Sequence, residues 1–497
     1  MTPVPGDTAP GGTAPGGTAP IGTAPIGTAP AATGGRSSAA VDDAMAALRD
    51  VLGEIGYSHI YTLVAGSQLF APDHARALRV ARSAGGVEGA VLELLGLGAT
   101  VPVARLGAPT SRALELCARA GLARVADGLA STADWLVVPA LGGYLLTGPP
   151  PTYAARRAVG ANAYVGPDSL KLAGALPDPR GKRVLDVGTG CGIQGLLAAR
   201  GASEAVCTDT EERSLALAAC NRVLNATAHP VRIVRGDLYS PVAGERFDLV
   251  VSLPPYVPEV PAAAASRTVG GGPDGLAVLR PLLAGAYEHL LPGGEVVVRS
   301  QLLCDARGPL LASELDRLAP GLETTLTVTD WHPLQPYVLE LATSFATYGA
   351  RATSRELVDQ YSTSLRALGA TGVCTALVRA RRPGGRPPRE ARPPVRLVGW
   401  TAPPDHTTIP RPAPGLRLVE AQSTHASAEG ATDAALDGPD AALLRAIDGS
   451  RSVGDALVTA WGSPVGALPE DLVDQALIRL TRLAAAGLVE LDPTPGP

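Results

Sequence analysis

Aromatic residues are scarce in this sequence of 497 residues. Phe, Trp and Tyr make up 4% of the chain, so its hydrophobic cores must be built mainly from Leu, Val and Ala. An excess of positive charge is also missing, because 42 Lys and Arg face 47 Asp and Glu. The net charge of −5 creates no basic field that would attract nucleic acid. Nucleic acid is therefore not favoured as a partner.

Long apolar runs and paired cysteines are missing as well. No stretch reaches the length of about 18 apolar residues that a membrane-spanning helix needs. The N-terminus lacks the basic and apolar regions of a secretory signal. The six cysteines include no C-x-x-C pair, a spacing that fits neither a zinc ribbon nor a disulfide framework. We therefore expect no metal site, no membrane partner, and buried free thiols in a reducing cytosol.

Low-complexity segments divide the chain. Residues 1–38 carry repeats such as "TAPGG" and "TAPIG", which bury too little apolar surface to form a core and predict a disordered tail. The stretch "RARRPGGRPPREARPP" at 379–394 is typical of a solvated linker. The predicted units that follow the tail are an N-terminal helical domain (41–150), a central domain (151–381), a Pro/Arg-rich linker and irregular region (382–435) and a small C-terminal helical domain (436–493).

Helical patterns fill both flanking segments. In the first, "DAMAALRDVLGEI", "VEGAVLELLGL" and "SRALELCARAGL" lead to the strand-like "DWLVVPAL". In the last, amphipathic stretches precede a short terminal strand at "LVEL". Helices followed by short strands predict small winged-helix-like modules. Because no basic stripe is present, we expect the first module to cap the cleft of the central domain rather than to bind nucleic acid.

The central segment alternates between apolar strands and helical stretches. Strands are predicted at 184–187, 205–209, 231–237, 247–252 and 294–300. This alternation predicts an α/β fold with a parallel, doubly wound, Rossmann-like sheet. Such sheets bind ligands beyond the carboxyl ends of their strands. The residues that follow each strand are therefore the candidates for the site.

The turn after the first strand, "DVGTGCGIQG", is rich in glycine. Side chains at Gly188, Gly190 and Gly192 would block the close approach of a nucleoside to the backbone. "GCGIQG" satisfies the G-x-G-x-x-G pattern of NAD enzymes. In that pattern, however, the first glycine closes the strand directly, and here "DVGTG" comes first, with Asp186 inside the strand end.

The next strand ends carry two acids and two prolines. Asp209 can accept hydrogen bonds from both ribose hydroxyls of a nucleoside, and Asp237 can meet an exocyclic amine of adenine. The fourth strand ends in "SLPPY". Since proline removes a donor from the strand ladder, this pair must lie beyond the strand. An acid on the third strand followed by such an exit from the fourth is not a dehydrogenase pattern.

Together these motifs resemble the class I S-adenosylmethionine-dependent methyltransferases. The likeness is greatest to the branch whose fourth strand ends in Asn-Pro-Pro-Tyr or Asn-Pro-Pro-Phe, which includes the release-factor glutamine methyltransferases and several RNA and DNA amino-methyltransferases. "GGGPDGLAVLRPLL" at 270–283 follows the proline motif as the "GG-x-DGL" segment does in the glutamine methyltransferases. The resemblance covers roughly residues 150–350 and implies S-adenosyl-L-methionine as the cofactor.

The resemblance also implies a role for each matched residue at the cofactor end. Asp186 would meet the methionine ammonium, directly or through water. Asp209 would bind the ribose and Asp237 the adenine. The cofactor turn would be formed by Gly188, Gly190 and Gly192.

The acceptor motif departs from the family at one position. Pro254, Pro255 and Tyr256 match, but Leu253 stands where the family has Asn. In the amino-methyltransferases, that Asn side chain and a backbone carbonyl hold the target NH2 in line with the methyl sulfonium, so catalysis is largely positioning. Leu253 offers no side-chain oxygen, although its carbonyl can still hold one N–H and Tyr256 can stack on a planar acceptor.

Three functions stay open on the sequence. The departure at Leu253 favours methyl transfer to an amine, hydroxyl or carboxyl of a small molecule or peptide, as in specialised metabolism. The second function is N-methylation of a translation component, a release-factor glutamine or an rRNA base. The third is a non-catalytic module that binds the cofactor. The sequence does not specify an oligomeric state.

Two further residues lie near the predicted strand ends. Tyr239 follows "GDL" and is interpreted as either a pocket residue or a surface aromatic. His332, in "DWHPLQPY" near a late strand, would suit a general base for a hydroxyl or carboxyl acceptor. A loop histidine without a catalytic role is the simpler interpretation.

Overall fold

The computed structural model describes residues 38–65, 74–132, 135–140, 142–149, 163–227, 229–263, 270–347 and 352–384, together with short segments further on. Those segments are 396–398, 410–412, 417–420, 424–427, 434–436, 444–447 and 489–491. Almost all of the predicted tail at 1–38 lies outside the described residues. Most of the predicted C-terminal domain at 436–493 does too.

The described part of the N-terminal region folds mainly into helices. They are α1 (Ser38–Glu54), α2 (Tyr57–Ala65), α3 (His74–Ala84), α4 (Gly86–Val91), which a π-helical turn continues over Leu92–Gly96, and α5 (Gly107–Arg119). Their apolar residues recur at helical spacing, so each helix turns one stripe toward a shared core. Leu48 and Leu52 of α1 and Leu114 of α5 are fully buried in this core. The predicted helical stretches are confirmed.

Short strands complete this region. β1 (Val101–Pro102), β2 (Arg124–Ala126) and β3 (Leu129–Ser131) form an antiparallel sheet in the order β1-β3-β2, and β4 (Leu136–Ala140) pairs with β5 (Gly143–Thr147). Asp127 and Gly128 join β2 to β3 with φ values of +53° and +72°, as a two-residue type I′ turn requires. Helices and short strands are both present, while the winged-helix assignment stays a prediction.

The central region alternates strands and helices. In chain order these are α6 (Pro167–Ala175), β6 (Arg183–Val187), α7 (Ile193–Ala198), β7 (Glu204–Asp209), α8 (Glu212–Leu224), β8 (Val231–Arg235), β9 (Phe247–Ser252), α9 (Leu279–His289) and β10 (Leu290–Asp305). There follow β11 (Gly308–Pro309), α10 (Leu315–Leu318), β12 (Glu323–Pro333), α11 (Leu334–Thr347), α12 (Ser354–Ala367), β13 (Gly372–Arg381) and β14 (Arg396–Val398). Each of the five predicted central strands is present.

The central sheet is mixed, with the strand order β14-β12-β13-β10-β9-β6-β7-β8 and β11 paired to β10. β6 to β10 run parallel, as predicted. β13, however, lies antiparallel between β10 and β12, so the prediction of a parallel sheet is wrong for this end. Apolar periodicity does not reveal the direction of a buried strand, which is why the sequence missed it. The α/β, Rossmann-like class is confirmed.

Two asparagines on α8 connect the N-terminal region to the central sheet. Asn221 accepts the N–H of Leu146 (2.6 Å) and donates to its carbonyl (2.8 Å). Asn225 bonds in the same way to Tyr144, at 3.1 and 2.7 Å. The two amides thus satisfy the free edge of β5, which would otherwise expose unpaired backbone groups. The predicted domain boundary at residue 150 falls close to this contact and stays a prediction.

Short strands occur beyond residue 384. β14 pairs in parallel with β12, β15 (Pro410–Pro412) pairs with β19 (Val489–Leu491), and β16 (Arg417–Glu420), β17 (Thr424–Ser427) and β18 (Ala434–Leu436) form an antiparallel sheet. Most lie in the range predicted to be irregular, where strands this short show no clear alternation. The predicted terminal strand corresponds to β19. Among the described residues, no helix has both the length and the apolar character to cross a membrane.

Candidate functional site

The carboxyl ends of four adjacent strands bring the predicted site residues to one edge of the sheet. In the order β9-β6-β7-β8, Val187 at the end of β6 pairs with Ser252 on one side and Thr208 on the other. Neighbouring strands lie about 4.8 Å apart. The acceptor motif, the glycine turn and Asp209 therefore leave the sheet side by side, and Asp237 follows one strand further on.

The glycine turn between β6 and α7 depends on backbone freedom. Gly188, Gly190 and Gly192 have φ values of +68°, +56° and +92°, a region that favours glycine. A Cβ at Gly188 would meet no protein atom within 4 Å, whereas one at Gly192 would lie 3.0 Å from Leu196 and 3.1 Å from Ala218. Gly188 therefore borders open space at the sheet edge, and Gly192 packs inside the protein.

Asp186 supports this turn from within. Its side chain is buried, and Oδ2 accepts hydrogen bonds from the Thr189 hydroxyl (2.5 Å) and the Gly195 N–H (2.8 Å). Burial raises the pKa of Asp186 to about 6, against the opposing effect of these bonds. A Cβ at Gly195 would collide with the Cys207 sulfur, so this glycine lets α7 approach the strands. The predicted contact of Asp186 with the methionine ammonium stays a prediction.

Asp209 holds the same turn from the neighbouring strand. Its Oδ2 accepts the Gly190 N–H at 2.9 Å and its Oδ1 accepts the Glu211 N–H at 2.9 Å. Burial raises the pKa of Asp209, and the two backbone N–H groups act in the opposite direction. The carboxylate is half-buried at the edge of the crevice. Its role in binding the ribose stays a prediction.

The residues after β8 separate into an exposed acid and a buried ring. Asp237 is exposed, and its carbonyl accepts the Ser240 N–H at 3.0 Å. Tyr239 is buried, donates its hydroxyl to the Leu282 carbonyl at 2.9 Å and stacks on His289 at 4.4 Å between ring centroids. Tyr239 is thus a core residue, and neither interpretation of it from the sequence is correct. The adenine contact of Asp237 stays a prediction.

Two sequence expectations about side chains elsewhere have clear outcomes. His332 lies in β12, opposite Val373, and its side chain is exposed. It is therefore a strand residue and not a loop residue. All six cysteines are buried and free, as expected.

The Leu-Pro-Pro-Tyr motif leaves β9 beside the glycine turn. The Ser252 hydroxyl donates to the Val187 carbonyl at 2.8 Å and ties the ends of β9 and β6 together. Pro254 is buried, while Leu253 and Tyr256 are half-buried. The Leu253 side chain packs against an apolar cluster between the sheet and its covering helices. The motif is therefore held by the Ser252 hydrogen bond at the end of β9 and by the packing of Leu253 just after it.

The "GGGPDGL" segment folds back against the acceptor motif. The Glu259 N–H donates to the Gly272 carbonyl (2.8 Å), and the Glu259 carboxylate accepts the Gly272 N–H (2.8 Å). A Cβ at Gly275 would collide with the Tyr256 carbonyl oxygen, and φ at Gly275 is +81°. Gly275 is therefore required by the close approach of this segment to the residues after β9.

Tyr256 is held by two residues that sequence reasoning missed. Its hydroxyl donates to Asp168 Oδ2 at 2.5 Å, and Asp168 Oδ1 accepts from Arg299 Nε at 3.0 Å. Burial raises the pKa of Tyr256 above its ordinary value, and the charge of Asp168 raises it further, so the phenol stays protonated. One signal was visible in the sequence, since Arg299 interrupts the apolar strand "GEVVVRS".

Part of the chain is similar to known proteins. Residues 155–310 match the family model described as "Methyltransferase small domain". The chain is 31% identical over 173 residues to the release factor glutamine methyltransferase of Gloeobacter violaceus, covering 33% of this chain and 59% of that protein. It is 40% identical over 143 residues to that of Deinococcus radiodurans, covering 27% and 49%. The chain thus spans about half the length of these curated relatives.

A solved structure is also similar. It is the T. thermophilus 16S rRNA N2 G1207 methyltransferase in complex with AdoMet and guanosine. Its TM-score is 0.30 at 17% identity, with coverage of 62% of this chain and 69% of that chain.

Proposed function

Because this chain carries a class I S-adenosylmethionine-dependent methyltransferase domain, related to the release factor glutamine methyltransferases, we propose that it methylates a nitrogen of a translation component. A release-factor glutamine is the first candidate acceptor. The observation that carries the proposal is the acceptor motif, which leaves β9 beside the glycine turn with the "GGGPDGL" segment folded against it.

S-adenosyl-L-methionine is the methyl donor of this family, and the residues at the sheet edge fit it. Gly188 leaves open space above the backbone, where the nucleoside would lie. Asp209 stands at the end of the next strand for the ribose, and the exposed Asp237 follows for the adenine. When bound, this cofactor supplies an activated sulfonium methyl group. The chain itself then has to bind, orient and exclude water.

In this proposal the acceptor half of the site holds the target nitrogen. The carbonyl of Leu253 accepts one N–H, and Tyr256 lies beside the planar amide. Pro254 and Pro255 fix the backbone between them, because each proline ring restrains its own φ. The nitrogen forms its bond to the methyl carbon as the sulfur–carbon bond breaks, and one N–H proton is then released to solvent.

A second candidate is methyl transfer to an amine, hydroxyl or carboxyl of a small molecule or peptide. Leu253 favours it, because the side chain joins the apolar cluster and offers no oxygen where the family has Asn. The named relatives favour the translation component instead. The two candidates differ in the acceptor and share the cofactor site.

The N-terminal region has a proposed role as a cap over the crevice. Ala163, whose carbonyl accepts the Gly148 N–H at 3.0 Å, lies 3.7 Å from the position of a Cβ on Gly190. Cys191, in the same turn, belongs to the hydrophobic core of the N-terminal region. These contacts support a cap made by the predicted 41–150 domain, with the 151–381 domain providing the methyltransferase site.

The test is methyl transfer from labelled S-adenosyl-L-methionine by the full chain. A bacterial release factor is the first acceptor, with mass mapping of the labelled peptide, and the small-molecule and peptide fractions of a lysate are the second. We expect one methyl group on a release-factor glutamine and, at a cofactor concentration near the Kd of the unchanged chain, a rate at least about tenfold lower with the Asp209→Ala variant. Label only in the small-molecule or peptide fraction would establish the second candidate. Cofactor binding without transfer to either acceptor would overturn both and leave a binding module.

A further inference from the structure

Leu253 and Arg299 lie on the same face of the central sheet. Val251 in β9 pairs with Val297 in β10, and paired residues of neighbouring strands point to the same side. Because side chains alternate along a strand, Arg299, two positions after Val297 in β10, points to that side as well. The apolar cluster on this face contains Val251 and Val297, and Leu253 packs against it.

Helix α6 covers this face and brings a carboxylate to it. Leu172 of α6 is fully buried in the same apolar cluster. Asp168, one turn earlier, binds both the Arg299 Nε (3.0 Å) and the Tyr256 hydroxyl (2.5 Å). The Arg299 side chain is only 5% exposed, and Asp330 gives it a second carboxylate at 4.0 Å. A charged, hydrogen-bonded group therefore sits on the side of the sheet that Leu253 faces.

Tyr256 is fixed at both ends. Its backbone carbonyl packs closely on Gly275, and its hydroxyl is bound by Asp168. Asp168 is in turn oriented by a buried guanidinium, whose planar geometry restrains the carboxylate. A side chain held this firmly presents its polar atom without an ordering cost when a ligand arrives.

We propose that the Tyr256 hydroxyl oxygen, oriented by Asp168 and Arg299, accepts the second N–H of the methyl acceptor in place of the side-chain oxygen that Leu253 lacks. A phenol donates one hydrogen bond and also accepts. Its proton is committed to Asp168, which leaves the oxygen lone pairs for the acceptor and strengthens them as acceptors through polarisation. Asp168 and Arg299 are positioning residues, because they act through Tyr256. This inference rests on the proposed function, methyl transfer to nitrogen.

The test compares Tyr256→Phe in two backgrounds, with a bacterial release factor as the acceptor. In the otherwise unchanged chain, the loss of one hydrogen bond to the acceptor lowers kcat/KM for the release factor about tenfold. The Kd of S-adenosylhomocysteine stays within about twofold, since the change is confined to the acceptor half. In the Leu253→Asn background, the new amide oxygen takes over the N–H, so Tyr256→Phe costs only about twofold.

Asp168→Asn tests the positioning role. We expect it to lower kcat/KM about threefold in the unchanged chain and to add nothing in the Tyr256→Phe background, because Asp168 acts through that hydroxyl. A merely structural role would give additive losses in both backgrounds and no rescue by Leu253→Asn. Tyr57→Phe is the matched control, since this buried phenol donates to the Val137 carbonyl at 3.0 Å in the N-terminal region. It keeps the unchanged rate.

The possible outcomes separate this inference from the proposed function. If the unchanged chain methylates the release factor and Tyr256→Phe is equally active, the inference is wrong and the proposed function stands. The same holds if Tyr256→Phe loses as much in the Leu253→Asn background as in the unchanged chain. If the unchanged chain transfers no methyl group to the release factor, the proposed function fails and the inference fails with it. Thermal unfolding of each variant confirms that the comparison is made between folded proteins.

Discussion

The two halves of the site are held together by different kinds of contact. In the cofactor half, Asp186 and Asp209 accept hydrogen bonds from backbone N–H groups of the glycine turn and its flanks. In the acceptor half, the Tyr256 hydroxyl is held by the side chains of Asp168 and Arg299. A backbone N–H is present for nearly every residue type, so it is kept in most substitutions. A contact between two side chains is lost when either residue is replaced. A single substitution in the acceptor half can therefore change its contacts while the backbone donors of the cofactor half stay in place.

The largest expected effect comes from neutralising the buried acid of the cofactor half. Burial raises the pKa of Asp186 from 3.8 to about 6, so the folded state binds this proton more tightly than the unfolded chain does. The resulting stabilisation is complete below about pH 4, and about 3 kcal/mol of it is lost as the pH rises past 6. The Asp186→Asn variant has no carboxyl group at this position, so it should not lose this stability as the pH rises.

Urea unfolding at a series of pH values measures this effect. The free energy of unfolding of Asp186→Asn, relative to the unchanged chain, should rise by up to about 3 kcal/mol between about pH 4 and about pH 7. Asp178→Asn is the control, because Asp178 is an exposed acid whose pKa is lowered by Arg180, and it should show no such rise. A difference for Asp186→Asn that stays flat with pH would contradict a raised pKa.

Removing the carboxylate at the end of β7 gives the next largest effect. Asp209→Ala deletes the acceptor of two backbone N–H groups along with the proposed ribose contact. We expect the Kd of S-adenosylhomocysteine, measured by calorimetry, to rise roughly ten- to hundredfold. Asp168→Asn, a change in the acceptor half, should shift it by less than about threefold. Equal effects of the two variants would remove the distinction between the halves.

Two glycine substitutions test which residue of the cofactor turn packs inside the protein and which borders the nucleoside. A Cβ at Gly192 would press on Leu196 and Ala218, whereas one at Gly188 would enter open space. Both positions have positive φ, so each Ala variant carries a backbone cost of about 1 kcal/mol, and Gly192→Ala adds about 1 kcal/mol for packing. Urea unfolding should therefore rank Gly192→Ala as the less stable. Calorimetry should rank Gly188→Ala as the weaker binder of S-adenosylhomocysteine, and a reversed order would place the nucleoside elsewhere.

The smallest expected effect is a gain in the acceptor half. Leu253→Asn offers a side-chain amide oxygen to the N–H that the Tyr256 hydroxyl otherwise accepts, so it should raise the rate of methyl transfer to a release-factor glutamine by no more than about twofold. The affinity for S-adenosylhomocysteine should not change. Leu253→Met, which keeps an apolar side chain of similar volume, is the control and should leave the rate near that of the unchanged chain. A lower rate with Leu253→Asn would instead favour an acceptor that needs the apolar surface.

The local parts of the fold could be read from the sequence. Apolar runs bounded by turns located β6 to β10, and the glycine turn could be recognised because three of its residues share one backbone requirement. The long-range contacts could not be found in this way. Arg299 and Asp168 are 131 positions apart, and Tyr239 is buried only because α9 leaves room for its ring at Gly285. Periodicity reports on neighbours along the chain and carries no information about such pairs.

The pair of amides that Asn221 and Asn225 present to β5 bears on how this chain can be recombined. A chimera that grafted a foreign N-terminal segment onto the catalytic core would have to align its own outermost strand with those two side chains. Otherwise both amides would lose their hydrogen bonds to the backbone of that strand. A chimera that exchanged helix α8 together with the N-terminal region would keep these hydrogen bonds.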